Sequence, residues 1–193
     1  MKQVAVIAGP TGSGKDTLIT EVIKRYPRCS RLITATTRAM RPGEVNGVHY
    51  HFFDKEFFLA ALERGDILEY NYRPSLDTYY GTYRPELEKQ MSNGRIVLAQ
   101  VQMVGATYLK EHYGATTIFI LPSSFEMLEK RIRARDPQLT DEEVMARLNI
   151  ARQEVQEDAP RYDYHITNEE GQIPKTVDEL VGILTKEGYN LDA

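Results

Sequence analysis

The run Gly9-Pro10-Thr11-Gly12-Ser13-Gly14-Lys15-Asp16-Thr17 constrains this chain more than any other segment. It follows directly on the apolar stretch Val4-Ala5-Val6-Ile7-Ala8, and it leads into Leu18, Ile19, Val22 and Ile23 at helical spacing. A strand, a glycine-rich turn carrying G-x-x-x-x-G-K, and then a helix make a phosphate-binding loop. Glycine lets the chain wrap an anion with successive N–H groups, and the helix presents its positive end to the same charge. The whole run is the expected ATP-binding segment. Lys15 is placed to reach the β- and γ-phosphates as a catalytic cation, and Thr17 the α-phosphate. The bland alternative, a glycine turn capping a helix, leaves the lysine unexplained. One residue departs from the pattern: Asp16 stands where a Ser or Thr hydroxyl normally ligates Mg²⁺. Its carboxylate is a hard-cation ligand, so it is the candidate metal residue. The competing view is that it caps the helix and complements the helix dipole.

The rest of the chain alternates in the same way. Ile96–Val101 and Thr117–Leu121 are short apolar runs, each followed by a helix-like segment, roughly Val104–His112 and Phe125–Arg135. Val144, Leu148, Ala151 and Val155 give a long amphipathic helix over Asp141–Asp158, with a last strand at Tyr164–Thr167 and a closing helix at Val177–Leu184. Alternation of this kind predicts an α/β fold, a parallel sheet with helices on both faces, of the P-loop NTPase type. The stretch from Arg38 to Tyr83, rich in Arg, Tyr, Phe, Gly and Pro, breaks the rhythm and reads as an insertion in a single domain. The core is then 1–37 and 84–193, with a short lid at about 133–146 around Pro137.

Charge and cysteine count narrow the function classes. With a formal net charge of −4, the chain is no general magnet for nucleic acid or anionic membranes, so any anion site is built locally. The one cysteine, Cys29, excludes an intramolecular disulfide and thiolate metal sites. His49, His51, His112 and His165 show no metal-ligand spacing supported by other residues. The first apolar run is too short to cross a membrane, and a cytoplasmic location is expected.

A second anion site is expected at Arg38 and Arg41, followed by Tyr50: paired guanidinium groups and a phenol suit a phosphate monoester. Two arginines three apart are more often a solvated surface, and here a resemblance decides. The segment Thr36-Thr37-Arg38-Ala39-Met40-Arg41-Pro42-Gly43-Glu44, with Gly47, Tyr50 and Phe52, resembles the signature of the guanylate kinase family. The match continues through Ile67-Leu68-Glu69-Tyr70, Tyr79-Tyr80-Gly81-Thr82, Lys130–Arg135, Arg147-Leu148 and Ile166–Glu170, and so spans nearly the whole chain. The resemblance implies that the insertion is a nucleoside-monophosphate-binding lobe, that GMP is the acceptor and that ATP with Mg²⁺ is the donor. It also implies that Arg38, Arg41, Tyr50 and Tyr80 hold the GMP phosphate, and that Thr34, Glu69 and Thr82, beside Gly81, read the guanine. Arg131, Arg135 and Arg147 are implied to close over the phosphates, and Asn168 to lie near the adenine.

The resemblance also has gaps. Gln100 and Gln102 replace two family acids, and Val104 replaces a glutamine before Gly105. The ribose bisphosphate phosphokinase family shares the Asp after the loop lysine and lacks those acids, yet it does not keep the Arg38-to-Tyr50 signature or Glu69. Guanylate-kinase-like binding modules generally lose the phosphate loop, which is intact here. The resemblance makes GMP the expected acceptor, with dGMP, which carries the same base, as a second.

Overall fold

The first apolar run is strand β1, Val4–Ala8, buried along its whole length. The computed structural model describes Met1–Asp192. After β1 it contains α1 (Lys15–Arg25), β2 (Cys29–Arg31), β3 (Ala35–Thr36), β4 (His51–Phe52), α2 (Lys55–Glu63) and β5 (Ile67–Arg73). There follow β6 (Thr78–Tyr83), α3 (Arg84–Ser92), β7 (Ile96–Ala99), α4 (Met103–Tyr113) and β8 (Thr116–Pro122). The chain ends with α5 (Phe125–Arg135), α6 (Asp141–Gln153), β9 (Tyr164–Asn168) and α7 (Ile173–Lys186). The main sheet has the strand order β2-β7-β1-β8-β9, and its β2–β7, β7–β1 and β8–β9 ladders are parallel. Both β1 and β7 are apolar without alternation, as strands covered on both faces must be.

Several expected boundaries moved: the closing helix begins at Ile173 instead of Val177, and two expected elements stop early, each for a local reason. The strand expected over Ile96–Val101 stops at Ala99, because Gln102 already serves as the N-cap of α4. The helix expected over Asp141–Asp158 is α-helical only to Gln153. It continues as a π turn over Glu154–Asp158 and a 3-10 turn over Ala159–Arg161, where Pro160 lacks the N–H that a longer helix needs.

By compactness the chain divides into two units, one of Ile7–Pro27 with the residues from Thr116 onward, the other of Lys2–Val6 with Arg28–Ala115. In the first, α1 packs on α7, whose buried stripe is Thr176, Val177, Leu180 and Leu184. Helices α5 and α6 close on each other through Leu128, Ile132, Val144, Leu148 and Ala151. Ser124 caps α5, and a capping box of Thr140 and Glu143 starts α6. The span expected as a lid, 133–146, takes in the end of α5, the connection over residues 136–140 and the start of α6.

In the second unit a four-stranded sheet has the order β4-β3-β6-β5 and buries Ala35, Phe58, Ala61 and Ile67 under α2. The β5–β6 ladder passes from Ile67↔Tyr83 to Tyr70↔Gly81, three steps on one strand against two on the other. The extra residue makes a bulge at Leu68-Glu69, and a bulge re-aims the side chains within it. Gly81 allows the strands to approach there. A Cβ at that position would lie 2.6 Å from the Glu69 carbonyl oxygen and 2.8 Å from Ile67 Cγ2. Gly81→Ala is therefore expected to force the bulge apart at a cost of about 1–3 kcal/mol, read as a lower urea midpoint. An unchanged midpoint would show that the bulge yields freely.

Candidate active site

The glycine-rich turn is held in shape by the elements around it. Gly9 and Gly14 adopt φ of 146° and 90°, closed to most side chains. A Cβ on Gly9 would also lie 2.5 Å from the Ile120 carbonyl of β8, and one on Gly14 would lie 2.3 Å from Asn168 Nδ2 at the end of β9. Ser13 N donates to Pro10 O (3.1 Å), and Lys15 Nζ lies over the same carbonyl at 3.2 Å. The N-cap of α1 is Gly14, in the left-handed conformation and with no side-chain cap, so the helix begins directly from the glycine-rich turn. Ser13 Oγ is buried with no hydrogen-bond partner among the described residues. A turn built this way, with a lysine beside it and an orphaned hydroxyl within it, suits a polyphosphate.

Asp16 lies in the first turn of α1, two residues beyond the cap, and is exposed. The expectation that it caps the helix is therefore corrected: Gly14 occupies that position. Among the described residues no group of three or more His, Cys, Asp or Glu could hold a metal ion. Arg131 Nη1 donates to Gly12 O at 3.2 Å, which puts that guanidinium on the loop. Arg147 and Arg135 are gathered instead on Asp136, at 2.5 and 3.5 Å. Arg147, with Arg135 adding to it, holds the Asp136 carboxyl below the usual carboxylate range. Asn168, expected near the adenine, is fully buried, and its Nδ2 donates to Ser13 O at 2.7 Å.

The second unit brings the other expected residues together around two carboxylates. Arg38 forms a bidentate pair with Glu44, at 2.9 and 2.7 Å, and Nη1 also donates to Ala39 O. Arg41 is exposed, but its backbone N–H donates to Glu44 Oε2 at 2.7 Å. The Arg38 guanidinium and then the Arg41 N–H pull the Glu44 carboxyl down to about 2. Arg38 lies 5.5 Å from the ring centres of both Tyr50 and Phe52, and Tyr50 meets Tyr80 edge-on at 6.1 Å. Arg73 stands over Tyr80 at 5.2 Å, a cation that no sequence motif had singled out.

The other carboxylate is Glu69. Thr82 Oγ1 donates to its Oε1 at 2.6 Å, so two expected guanine readers form one unit. Burial pushes the Glu69 carboxyl up, while the Thr82 bonds pull against it. A Cβ on Gly105 would lie 2.8 Å from Glu69 Oε1, so this glycine in the first turn of α4 leaves room for the carboxylate. Thr34 precedes β3, is half-buried, and its carbonyl accepts from His51 N. Gln100 Oε1 accepts from Arg31 Nη1 at 3.0 Å, and Gln102 caps α4 without a side-chain bond.

Comparison with known proteins bears on all of these residues. The family model described as guanylate kinase matches residues 1–187. The guanylate kinase of Trichormus variabilis is 39% identical over 87% of this chain and 83% of its own length. That of Synechocystis is 36% identical over 96% of this chain and 94% of its own length. The crystal structure of guanylate kinase from Anaplasma phagocytophilum superposes with a TM-score of 0.74 at 29% identity, covering 98% of this chain and 87% of that one. With both the phosphate loop and the Arg38-to-Glu69 lobe inside the matched span, the chain belongs to the guanylate kinase family.

Proposed function

We propose that this chain transfers the γ-phosphoryl group of ATP to GMP, giving ADP and GDP. The observation that carries the choice of acceptor is the Glu69 carboxylate held by Thr82 against the bare Cα of Gly105. Guanine presents N1–H and the exocyclic N2–H side by side, and a carboxylate accepts both, whereas adenine offers no such pair. Thr34 and Thr82 supply hydroxyls to the same base. Arg38, Arg41, Tyr50 and Tyr80 take the GMP phosphate, with Glu44 fixing the direction of the Arg38 fork.

In the transfer the bond from the γ-phosphorus to its bridging oxygen breaks and one to a GMP phosphate oxygen forms, the electron pair leaving with ADP. A phosphate monoester has a second pKa of about 6, so the attacking oxygen is already ionised at neutral pH and no general base is needed. The work left to the protein is positioning and charge stabilisation. Lys15 serves the β- and γ-oxygens, and Arg131, Arg135 and Arg147 the charge on the moving group. When bound, Mg²⁺ would neutralise negative charge on the donor phosphates during transfer. Asp16 fits it as an exposed carboxylate at the loop, since Mg²⁺ takes one or two protein carboxylates beside phosphate and water. No described helix is long and apolar enough to cross a membrane, and Cys29 is a free buried thiol; a cytosolic location agrees with both.

The donor assignment is tested by Lys15→Ala, which is expected to abolish phosphoryl transfer with an unchanged melting temperature. A folded variant of near-normal activity refutes the assignment.

For the acceptor, competition between GMP and AMP is expected to favour GMP by roughly 10⁴-fold or more, because the wrong base leaves a buried polar group unpaired. Only ionised Glu69 accepts two N–H groups, and its raised pKa means that charge is lost at a higher pH than for an ordinary glutamate. GMP affinity should therefore fall on acidification along a limb that Glu69→Gln removes, whereas the limb due to the GMP phosphate stays in both. Equal use of AMP, or the same acid limb in both proteins, rules Glu69 out as the guanine reader.

Asp16→Asn keeps the size of the residue and removes its charge. The Mg²⁺ concentration for half-maximal activity, and for tight binding of an inert ATP analogue, is expected to rise with little change in melting temperature. Gln102→Asp in that background should recover part of the loss. If Mg²⁺ dependence stays the same and only thermal stability drops, Asp16 serves the helix dipole alone.

A further inference from the structure

Asn168 contributes an amide whose task the reaction leaves open. It is the last residue of β9, fully buried, and it reaches across 155 positions of sequence to the Ser13 carbonyl. A carbonyl only accepts, so the NH₂ end of the amide must be the end facing Ser13. Its Oδ1 lies 3.4 Å from Thr176 Oγ1 of α7, a hydroxyl that also stands 3.1 Å from Gln172 O. The approach is close: without the bare Cα of Gly14, the amide nitrogen would meet a Cβ at 2.3 Å.

We propose that Asn168 is a positioning residue for the donor nucleotide, which sets the plane of the Ser13–Gly14 peptide and so aims the Gly14 N–H at a phosphate. A peptide unit is planar, and in the trans form its C=O and N–H point in opposite directions; no described peptide bond is cis. With the carbonyl tied toward β9, the N–H of Gly14 is turned away from β9. Gly14 is also the N-cap of α1 and immediately precedes Lys15, so the same plane sets how the helix starts and where the lysine leaves the backbone. Ser13 offers no substitute anchor. Its own N–H is used on Pro10 O, and its hydroxyl has no partner among the described residues. The buried side chain thus acts on the phosphate through the backbone. The inference rests on the ATP reading of the loop.

The test is calorimetric binding of Mg²⁺-ADP and, separately, of GMP to the full chain and to two variants. Asn168→Asp is isosteric but sets a carboxylate oxygen against the Ser13 carbonyl, so the peptide must turn. ADP affinity is expected to fall about tenfold or more, the scale of one charge-assisted bond. KM for ATP should rise in step, and GMP affinity should stay within about twofold. Asn168→Ala, which removes the donor without adding repulsion, is expected to lose less ADP affinity in the same direction. The ADP-induced shift of the Gly14 amide in a nitrogen-15 spectrum should shrink in both variants. Unchanged ADP binding by Asn168→Asp overturns this inference alone, as does an equal loss of ADP and GMP, which marks general damage. If neither variant folds, Asn168 is a determinant of the fold and the proposal is wrong. Failure of the unaltered chain to bind ADP overturns the ATP reading together with it.

Discussion

An anion site made of backbone N–H groups works only when the carbonyls of the same peptides are taken up elsewhere, since a carbonyl turned inward repels the anion that its neighbours attract. In the loop from Pro10 to Gly14, four of the five carbonyls have partners, which come from several elements. Pro10 O is taken by Ser13 N and Lys15 Nζ, Gly12 O by Arg131 of α5, Ser13 O by Asn168 of β9, and Gly14 O by Leu18 N of α1. The parallel sheet is what makes these partners available, because β8 and β9 deliver Ile120 and Asn168 to the loop that follows β1. Glycine is required less for flexibility than for room: at Gly9 and Gly14 a neighbour's polar atom stands where a Cβ would be.

The lobe solves a different problem, that of keeping charges partly out of water without leaving them alone. Removing one partner of a buried ion pair is costly, so pairing must be complete. Arg38 is satisfied by Glu44 and Ala39 and is flanked by the Tyr50 and Phe52 rings. Among the described residues Glu69 has no basic hydrogen-bond partner; it has the Thr82 hydroxyl and a burial that pushes its pKa upward. A carboxylate kept short of donors is one that a ligand with two N–H groups can satisfy, which is why the bulge matters. It turns a strand residue sideways and leaves it under-supplied.

The same balance is seen between α5 and α6, where Asp136 collects Arg147 and Arg135. These pairs are half-exposed, so they steady side chains more than they stabilise the fold. With a net charge of −4, the chain has no net positive charge to spread over its surface, so its cationic groups act locally, some beside an acid, as Arg38 is beside Glu44, and others beside a carbonyl, as Arg131 is beside Gly12.

The residues alone were enough for the first strand, the glycine-rich turn and the helix after it, because G-x-x-x-x-G-K between an apolar run and a helical pattern leaves the backbone few alternatives. Helix α5 was legible to the residue, since Ser124 and the apolar spacing of Leu128 and Ile132 are local signals. The pairing of Arg38, Tyr50, Glu69 and Thr82 in one lobe was legible only through a family signature, for no spacing rule brings them together. Other features depended on contacts distant in sequence and were decided by packing. Strand β2, with three residues, and the π turn after α6 carry weak local signals that tertiary contacts override, whereas α2 and α3 have local signals of their own, the Asp54 cap and the glycines Gly65 and Gly94 past their ends. Arg73 reaches Tyr80 through the strand register, and the Glu69 bulge exists because Gly81 on another strand admits it. Asn168 reads in sequence as a polar residue at a strand end before an acidic turn. Only the ordering of β8 and β9 beside β1 turns its amide onto the Ser13 carbonyl, because a hydrogen bond forms wherever the chain brings donor and acceptor within reach, and sequence separation does not enter its energy.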